Sequence, residues 1–245
     1  MTKEGSRRFY RYQHQSKAGW VSFQVKHRET DLWIRARKNV EKEALEAVLN
    51  CRHQLEQYIS YSPEFLRSLT PLPDDPTAPP LIRQMLQAAQ KIGVGPMASV
   101  AGAIAQSVAL SLKHLSPFII IENGGDCYMN LAEETKVGIY AGARSPFTGR
   151  VALRFLPEHF PFGICTSSGT IGHSLSFGRA DAITVVAKDA ALADAAATAL
   201  GNLVKEPRDI SKALERRDLL EHLEGVLIIV KDKMGAWGNL ELIPL

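Results

Sequence analysis

Residues 162–202 read FGICTSSGTIGHSLSFGRADAITVVAKDAALADAAATALGN. Their pattern predicts a strand, a polar loop, a second strand and a helix, in that order. The first strand covers 162–165. The loop follows with Thr166, Ser167, Ser168, Gly169 and Thr170 and continues through His173 to Ser174. Its hydroxyls and glycines suit a backbone that turns tightly and aims N–H groups at an anion. Residues 182–187 are apolar and β-branched, which predicts a buried strand. Asp189 then stands where it can cap a helix made mostly of alanine.

Two polar residues interrupt that helix. Asp194 and Thr198 are one turn apart and share a face. A carboxylate and a hydroxyl so placed among alanines can hold a hard cation such as Mg²⁺. Spacing alone favours another reading, with Asp194 solvated and Thr198 bonding back to its own helix. Cys165 also has two readings. N–H groups of the adjoining loop would lower its pKa and yield a thiolate able to carry sulfur or attack a carbonyl, with His173 near in sequence. Its place in an apolar strand favours a buried, inert thiol.

Upstream, Pro117 opens the apolar run PFIIIE, a buried strand that enters Asn123-Gly124-Gly125-Asp126. Paired glycines let the main chain bend and approach a ligand, and Asp126 can bond a ligand group or brace the turn. Strands are expected at 127–131, 136–141 and 151–156, with the second pairing with the first as a hairpin. One helix is expected from Gly95-Pro96 to about His114, with a small-sided face of Ala98, Ala101, Gly102 and Ala105. That face suits tight packing on a neighbour or a close ligand.

Before it, TPLPDDPTAPP at 70–80 excludes helix or central strand. It reads as a linker by default, or as a lid. Pro80 opens a helix that Gly93 ends. Asn39 can cap an earlier helix whose apolar stripe is Ala44, Leu45, Val48, Cys51, Leu55 and Ile59. Strands are expected at 9–12, 20–26 and 32–37. Beyond the central motif come helices at 211–223, a strand at 225–231 and a closing strand at 235–243.

Of the 245 residues, 45% are hydrophobic and 22% charged, enough apolar material for a core. The net charge of +3 demands neither nucleic acid nor an anionic membrane. The start MTKEGSRR has no apolar run behind it, so no signal peptide or spanning helix is expected and the location expected is cytoplasmic. Cys51, Cys127 and Cys165 lack the spacing of a disulfide framework or zinc cluster. Hairpin-linked strands with long helices predict an α+β fold, antiparallel sheet covered by helices on one side. Its apolar strands allow a homodimer.

The succession Asn123-Gly124-Gly125-Asp126, Thr166-Ser167-Ser168-Gly169, Thr184-Val185-Val186-Ala187 and Ala193-Asp194-Ala195-Ala196-Ala197-Thr198-Ala199 resembles the ApbE superfamily. Its best-known members are FAD:protein FMN transferases. The run CTSSGTIGHSLSFGRADAITVVA is more similar to a compact branch of that superfamily found in anaerobic bacteria and archaea. The matching region runs from about 95 to 202. The resemblance implies a single domain over 1–245, duplicated like the tunnelling-fold proteins, with halves of about 1–115 and 116–245 and the ligand between them.

It also implies FAD or FMN as the small-molecule ligand. Mg²⁺ would be held by Asp194, Thr198 and the carbonyls of Ala98 and Ala197, and AMP would leave. The nucleotide would lie against Asn123, Gly124, Gly125, Asp126 and Thr166 to Thr170, with Arg179 neutralising a phosphate. His173 occupies roughly the position of a histidine in the transferases and can contact the flavin or act as base. Two departures stand out. Ser99-Val100 replaces a lysine–glycine pair, and Ser176 to Asp181 forms a shortened loop in place of an aspartate-proline-x-threonine-glycine segment. They favour nucleotide or anion binding over covalent flavinylation. The alternatives are a Cys165-dependent enzyme of sulfur or homocysteine metabolism on the same scaffold and a non-catalytic ligand-binding protein.

Overall fold

The computed structural model describes residues 19–169 and 179–245. The strand expected at 9–12, together with Thr170 and His173, lies outside the described residues. Strands β1 (Val21–His27) and β2 (Thr30–Ala36) form an antiparallel hairpin. Alternation in β2 sends Leu32, Ile34 and Ala36 to the helical core and Trp33 and Arg35 to the other face. The Arg35 guanidinium lies 5.5 Å from the Trp20 ring centre, and that of Arg37 lies 4.2 Å from it. Cation–π stacking thus engages Arg35 in β2 and Arg37 just past its end.

Helix α1 (Glu41–Tyr61) buries Ala44, Val48, Cys51 and Leu55. Leu45, expected on that stripe, is exposed at its margin. Asn39, expected to cap, stands one residue early: the cap position is Val40, whose apolar side chain accepts no bond, and Asn39 Oδ1 instead accepts the Glu41 N–H at 3.0 Å. A short α2 (Glu64–Arg67) follows. Residues 70–79 then form neither helix nor strand and turn at Pro76 and Thr77, where the Ala78 N–H donates to the Asp75 carbonyl at 3.1 Å. The Tyr58 hydroxyl donates to Asp75 Oδ2 at 3.0 Å and Gln90 Nε2 to the Leu72 carbonyl at 2.8 Å. Helix α3 (Pro80–Ile92) starts on its proline and ends at Gly93, whose φ of 83° is the left-handed cap glycine tolerates.

The next helix is not continuous from Pro96. Residues Pro96–Ser99 form a 3-10 turn, and α4 (Val100–Leu112) starts after it. Ser99 sits at φ −117°, ψ 4°, and its hydroxyl donates to the Pro96 carbonyl at 2.7 Å. That local bond competes with helical continuation.

The remaining elements are β3 (Ile119–Asn123), β4 (Asp126–Asn130), β5 (Thr135–Gly138), β6 (Val151–Phe155), β7 (Phe162–Ser167), β8 (Ala182–Ala187), α5 (Ala190–Leu203), α6 (Asp209–Ala213), α7 (Arg217–Leu220), β9 (Gly225–Val230), β10 (Lys233–Gly238) and β11 (Glu241–Pro244). Eight strands form one antiparallel sheet in the order β1-β2-β3-β4-β7-β8-β9-β10. The chain passes twice through two strands, helices and two strands to build it. A second sheet has the order β11-β6-β5.

Two expected pairings differ. β5 pairs with β6 instead of β4, because β3 and β7 already occupy both edges of β4. The expected strand 235–243 divides at Gly238, where φ is 85° and a Cβ would meet the Glu224 carbonyl at 2.4 Å. The chain bends there, and β11 joins the second sheet.

The architecture is α+β in three layers. Helices α1, α4 and α5 cover one face of the large sheet around Ile34, Ile121, Val185 and Ile228, and α3 packs on those three helices. The small sheet covers part of the other, where Leu153, Phe155, Phe162, Val186 and Ile229 meet. Among the described residues no single helix is long and apolar enough to cross a membrane. The apolar pair Pro80–Ile92 and Pro96–Leu112 bends by 104° and lies largely buried in the core.

Candidate functional site

The antiparallel order brings distant segments to one end of the large sheet. The β3–β4 turn lies there, since Asn123 pairs with Asp126. The exit of β7 lies beside it, since Asp126 pairs with Cys165. Helix α4 packs back along β3 and β4, so its first turn comes to the same end. Helix α5 leaves β8 at the far end and runs back beneath its neighbours, carrying Asp194 and Thr198 toward the turn.

Asp194 is the best-defined member. Its Oδ2 accepts the N–H groups of Ala101 at 3.1 Å and Gly102 at 3.0 Å. These are two of the four donors that the start of a helix leaves unpaired. Asp194 therefore caps α4 from another helix. The solvated charge favoured by spacing is not found: Asp194 is half-buried. Burial pushes its carboxyl up to about 7, against the stabilising pull of the Gly102 and Ala101 N–H groups. No sequence pattern shows this cap, because ninety-odd residues separate the partners; the small face including Ala101 and Gly102 was its trace.

Asn123 Nδ2 donates to the Ala101 carbonyl at 3.2 Å, so part of its amide braces α4. Gly124 has φ 75°, a left-handed position in the turn. Gly125 presses on β7: its carbonyl accepts the Thr166 N–H at 2.9 Å, and a Cβ there would meet the Thr166 carbonyl at 2.6 Å. Only glycine permits that approach.

Thr166 and Cys165 alternate across β7. The Thr166 hydroxyl pairs with that of Thr184 at 2.9 Å, on the face away from the helices. The structure does not bring that hydroxyl to Asp194. Ser167 and Ser168 are half-buried at the strand exit, and Gly169 closes the loop base by donating to the Ala180 carbonyl at 3.0 Å. Arg179 has an exposed side chain, and its N–H is held by the Val204 carbonyl just past α5.

Cys165 lies on the helical face and is fully buried, its thiol donating to the Ala190 carbonyl at 3.4 Å. Burial pushes the thiol well up, and the charges of Asp126 and Asp194 push it further. The lowered pKa expected from neighbouring N–H groups is not found. The apolar setting first, and then the two carboxylates, account for the rise.

The donors suggested for a cation are all oxygens. Thr198 is half-buried one turn beyond Asp194, Ala197 is buried between them, and Ala98 lies in the 3-10 turn that packs on α5. An all-oxygen set with one carboxylate suits a hard ion that keeps several waters, as Mg²⁺ does. No cluster of three or more His, Cys, Asp or Glu suited to a softer metal occurs among the described residues.

Residues 11–224 match the model of the family described as AbpE bacteria. A UPF0280 protein of Methanocaldococcus jannaschii is 41% identical over 227 residues, covering 90% of this chain and 92% of that protein. One of Methanothermobacter thermautotrophicus is 46% identical over 201 residues, covering 79% and 76%. Among solved structures, the flavinyl transferase ApbE of Pseudomonas stutzeri superposes with a TM-score of 0.56 at 14% identity, over 89% of this chain and 94% of that one. The ApbE protein of Thermotoga maritima gives 0.55 at 12% identity, over 88% and 96%. Both likenesses are of fold.

Proposed function

We propose a function from this premise: the chain belongs to the AbpE bacteria family and has the ApbE fold. It binds a flavin nucleotide, FAD or FMN, at the sheet end formed by the β3–β4 turn, the β7 exit and the facing starts and middles of α4 and α5. The reading draws on the activity of the Pseudomonas stutzeri neighbour, a flavinyl transferase. The observation that carries it is the Asp194 carboxylate, half-buried beside the turn with one oxygen fixed by two helix N–H groups.

Asp194, Thr198 and the carbonyls of Ala98 and Ala197 are the residues that would hold Mg²⁺. When bound, the ion supplies charge neutralisation to a pyrophosphate and to the phosphorus under attack. The chain's own groups do the rest. The β3–β4 turn offers glycine backbone for close approach, and Arg179 offers a cation to a phosphate. In FMN transfer a hydroxyl of an acceptor protein forms the new P–O bond, the pyrophosphate P–O bond breaks, AMP leaves and the hydroxyl proton passes to a base. Water in place of the acceptor gives FMN and AMP.

The test is titration of the full chain with FAD, with and without Mg²⁺, following flavin fluorescence and AMP release, beside Asp194→Ala. Mg²⁺-dependent binding that the variant loses supports the reading, and AMP release makes the protein a transferase or pyrophosphatase. Absence of FAD binding under both conditions overturns it.

A further inference from the structure

We infer that Asn123 is a positioning residue for Asp194, acting through the peptide groups of Ala101. The inference rests on the cation reading of Asp194 proposed above. Ala101 is clasped at both ends. Its N–H donates to Asp194 Oδ2 at 3.1 Å, and its carbonyl accepts from Asn123 Nδ2 at 3.2 Å. One residue of the first turn of α4 therefore joins the end of β3 to the middle of α5. The orientation of the Asn123 amide follows from chemistry, since a carbonyl oxygen only accepts and must face the NH₂.

This join matters because of what precedes α4. Residues Pro96–Ser99 follow 3-10 geometry, so no regular helix extends backward to stiffen the first α-helical turn. The Asn123 bond ties that turn to the sheet. Asn123 is itself anchored, because it pairs with Asp126 across a turn whose Gly125 bonds Thr166. Sheet, α4 and α5 are thus linked in series, and the carboxylate takes its direction from the last link. Only Oδ2 is used in the cap, so its placement also sets where Oδ1 points. The Asn123–Ala101 bond holds the carboxylate in the geometry a hard cation needs, while Asn123 supplies no ligand atom.

The experiment measures Mn²⁺ binding to the full chain without flavin, by calorimetry or the electron-spin signal of free Mn²⁺. Wild type is compared with Asn123→Leu, which keeps the branched shape without a donor, with Asn123→Ala, and with Asn123→Gln, which keeps an amide N–H. The Leu and Ala variants are expected to bind Mn²⁺ roughly 3–10-fold more weakly, and Gln to recover part of the loss. On an Asp194→Asn background, Asn123→Leu is expected to add less than twofold, because the two residues act as one unit. General loosening of the fold would add equally on both backgrounds. Wild-type affinity in a folded Leu or Ala variant overturns the positioning role and leaves the cation site standing. Failure of wild type to bind Mn²⁺ overturns both.

Discussion

Gly102 in α4 stands so close to the carbonyl of Ala190 in α5 that a Cβ on it would lie 2.2 Å from that oxygen. On the sheet side, a Cβ on Gly163 would lie 2.3 Å from the Ala190 Cα. The start of α5 is wedged between a helix and a strand that both give way by being glycine. Polar contacts lock it there: Gln106 Oε1 accepts the Ala190 N–H at 2.6 Å, and Asp189 Oδ1 accepts the Leu192 N–H at 2.9 Å.

Gly102→Ala is therefore expected to destabilise the protein by about 2–3 kcal/mol despite the higher helix propensity of alanine. The obstructing atom is backbone and has no rotamer to escape into. The displaced helix also draws Asp194 from its two N–H donors. Urea denaturation checks the stability, with Gly138→Ala as the comparison. A Cβ at Gly138 meets only the flexible Leu245 side chain, at 3.4 Å, and should cost less than about 1 kcal/mol.

The cap and the charge of Asp194 can be separated. Asp194→Asn keeps an oxygen to accept the Ala101 and Gly102 N–H groups and removes the charge, whereas Asp194→Ala removes both. In the ion-free protein, Ala is expected to lie about 1 kcal/mol below Asn in stability, the usual worth of a helix cap. Both variants should bind Mg²⁺ or Mn²⁺ at least about tenfold more weakly than wild type. Equal stability of the two would refute the capping role.

Cys165 carries a prediction of inertness. Its thiol is buried, beside two carboxylates, and stays protonated at neutral pH. Iodoacetamide should label the half-buried Cys127 before Cys165 or the buried Cys51, and mass spectrometry of digests reads the order. In 6 M guanidinium, used here as roughly the concentration that unfolds ordinary domains, all three should react alike. Cys165→Ala should leave FAD binding within about threefold of wild type. Rapid native labelling of Cys165 that FAD blocks would restore the thiolate reading.

Much of this fold was legible because local patterns agreed with it. Pro80 and Gly93 bracket α3, Asp189 caps α5, and the Val185 and Ile228 strands are apolar on both faces. What escaped the sequence depends on distant partners. Nothing near residue 136 tells β5 that both edges of β4 are filled. Ser99 ends a helical pattern through a bond to Pro96 that a helix-tolerant serine need not make. For the site, Asp194 and Thr198 were visible as an interruption among alanines, but the role of Asp194 as the cap of α4 was not. The two-fold passage through strands, helices and strands also left no sequence repeat. The first helical excursion holds α1 to α4 and the second α5 to α7, so equivalent residues fall out of register.

The proline-rich passage at 70–80 gives a prediction at high pH. Tyr58 in α1 donates to Asp75 Oδ2 at 3.0 Å, and burial followed by that bond and the charge of Asp75 pushes the phenol up to about 12. Asp75 is held low chiefly by the Thr77 hydroxyl and N–H, so it remains a charged acceptor throughout. The folded state thus keeps the Tyr58 proton more tightly than the unfolded chain, whose phenol titrates near the ordinary value of 10. The sign follows directly. The contribution is complete below about pH 10 and fades as pH rises from there to about 12, because the unfolded state loses its proton first. Tyr58→Phe removes the bond, costs about 1 kcal/mol at pH 8, and should bring stability closer to wild type as pH climbs through that window. Urea midpoints of the two proteins at pH 8 and pH 11 measure the convergence. A gap that stays constant would overturn the linkage to the Tyr58 proton, and no gap at either pH would mean that Tyr58 contributes packing alone.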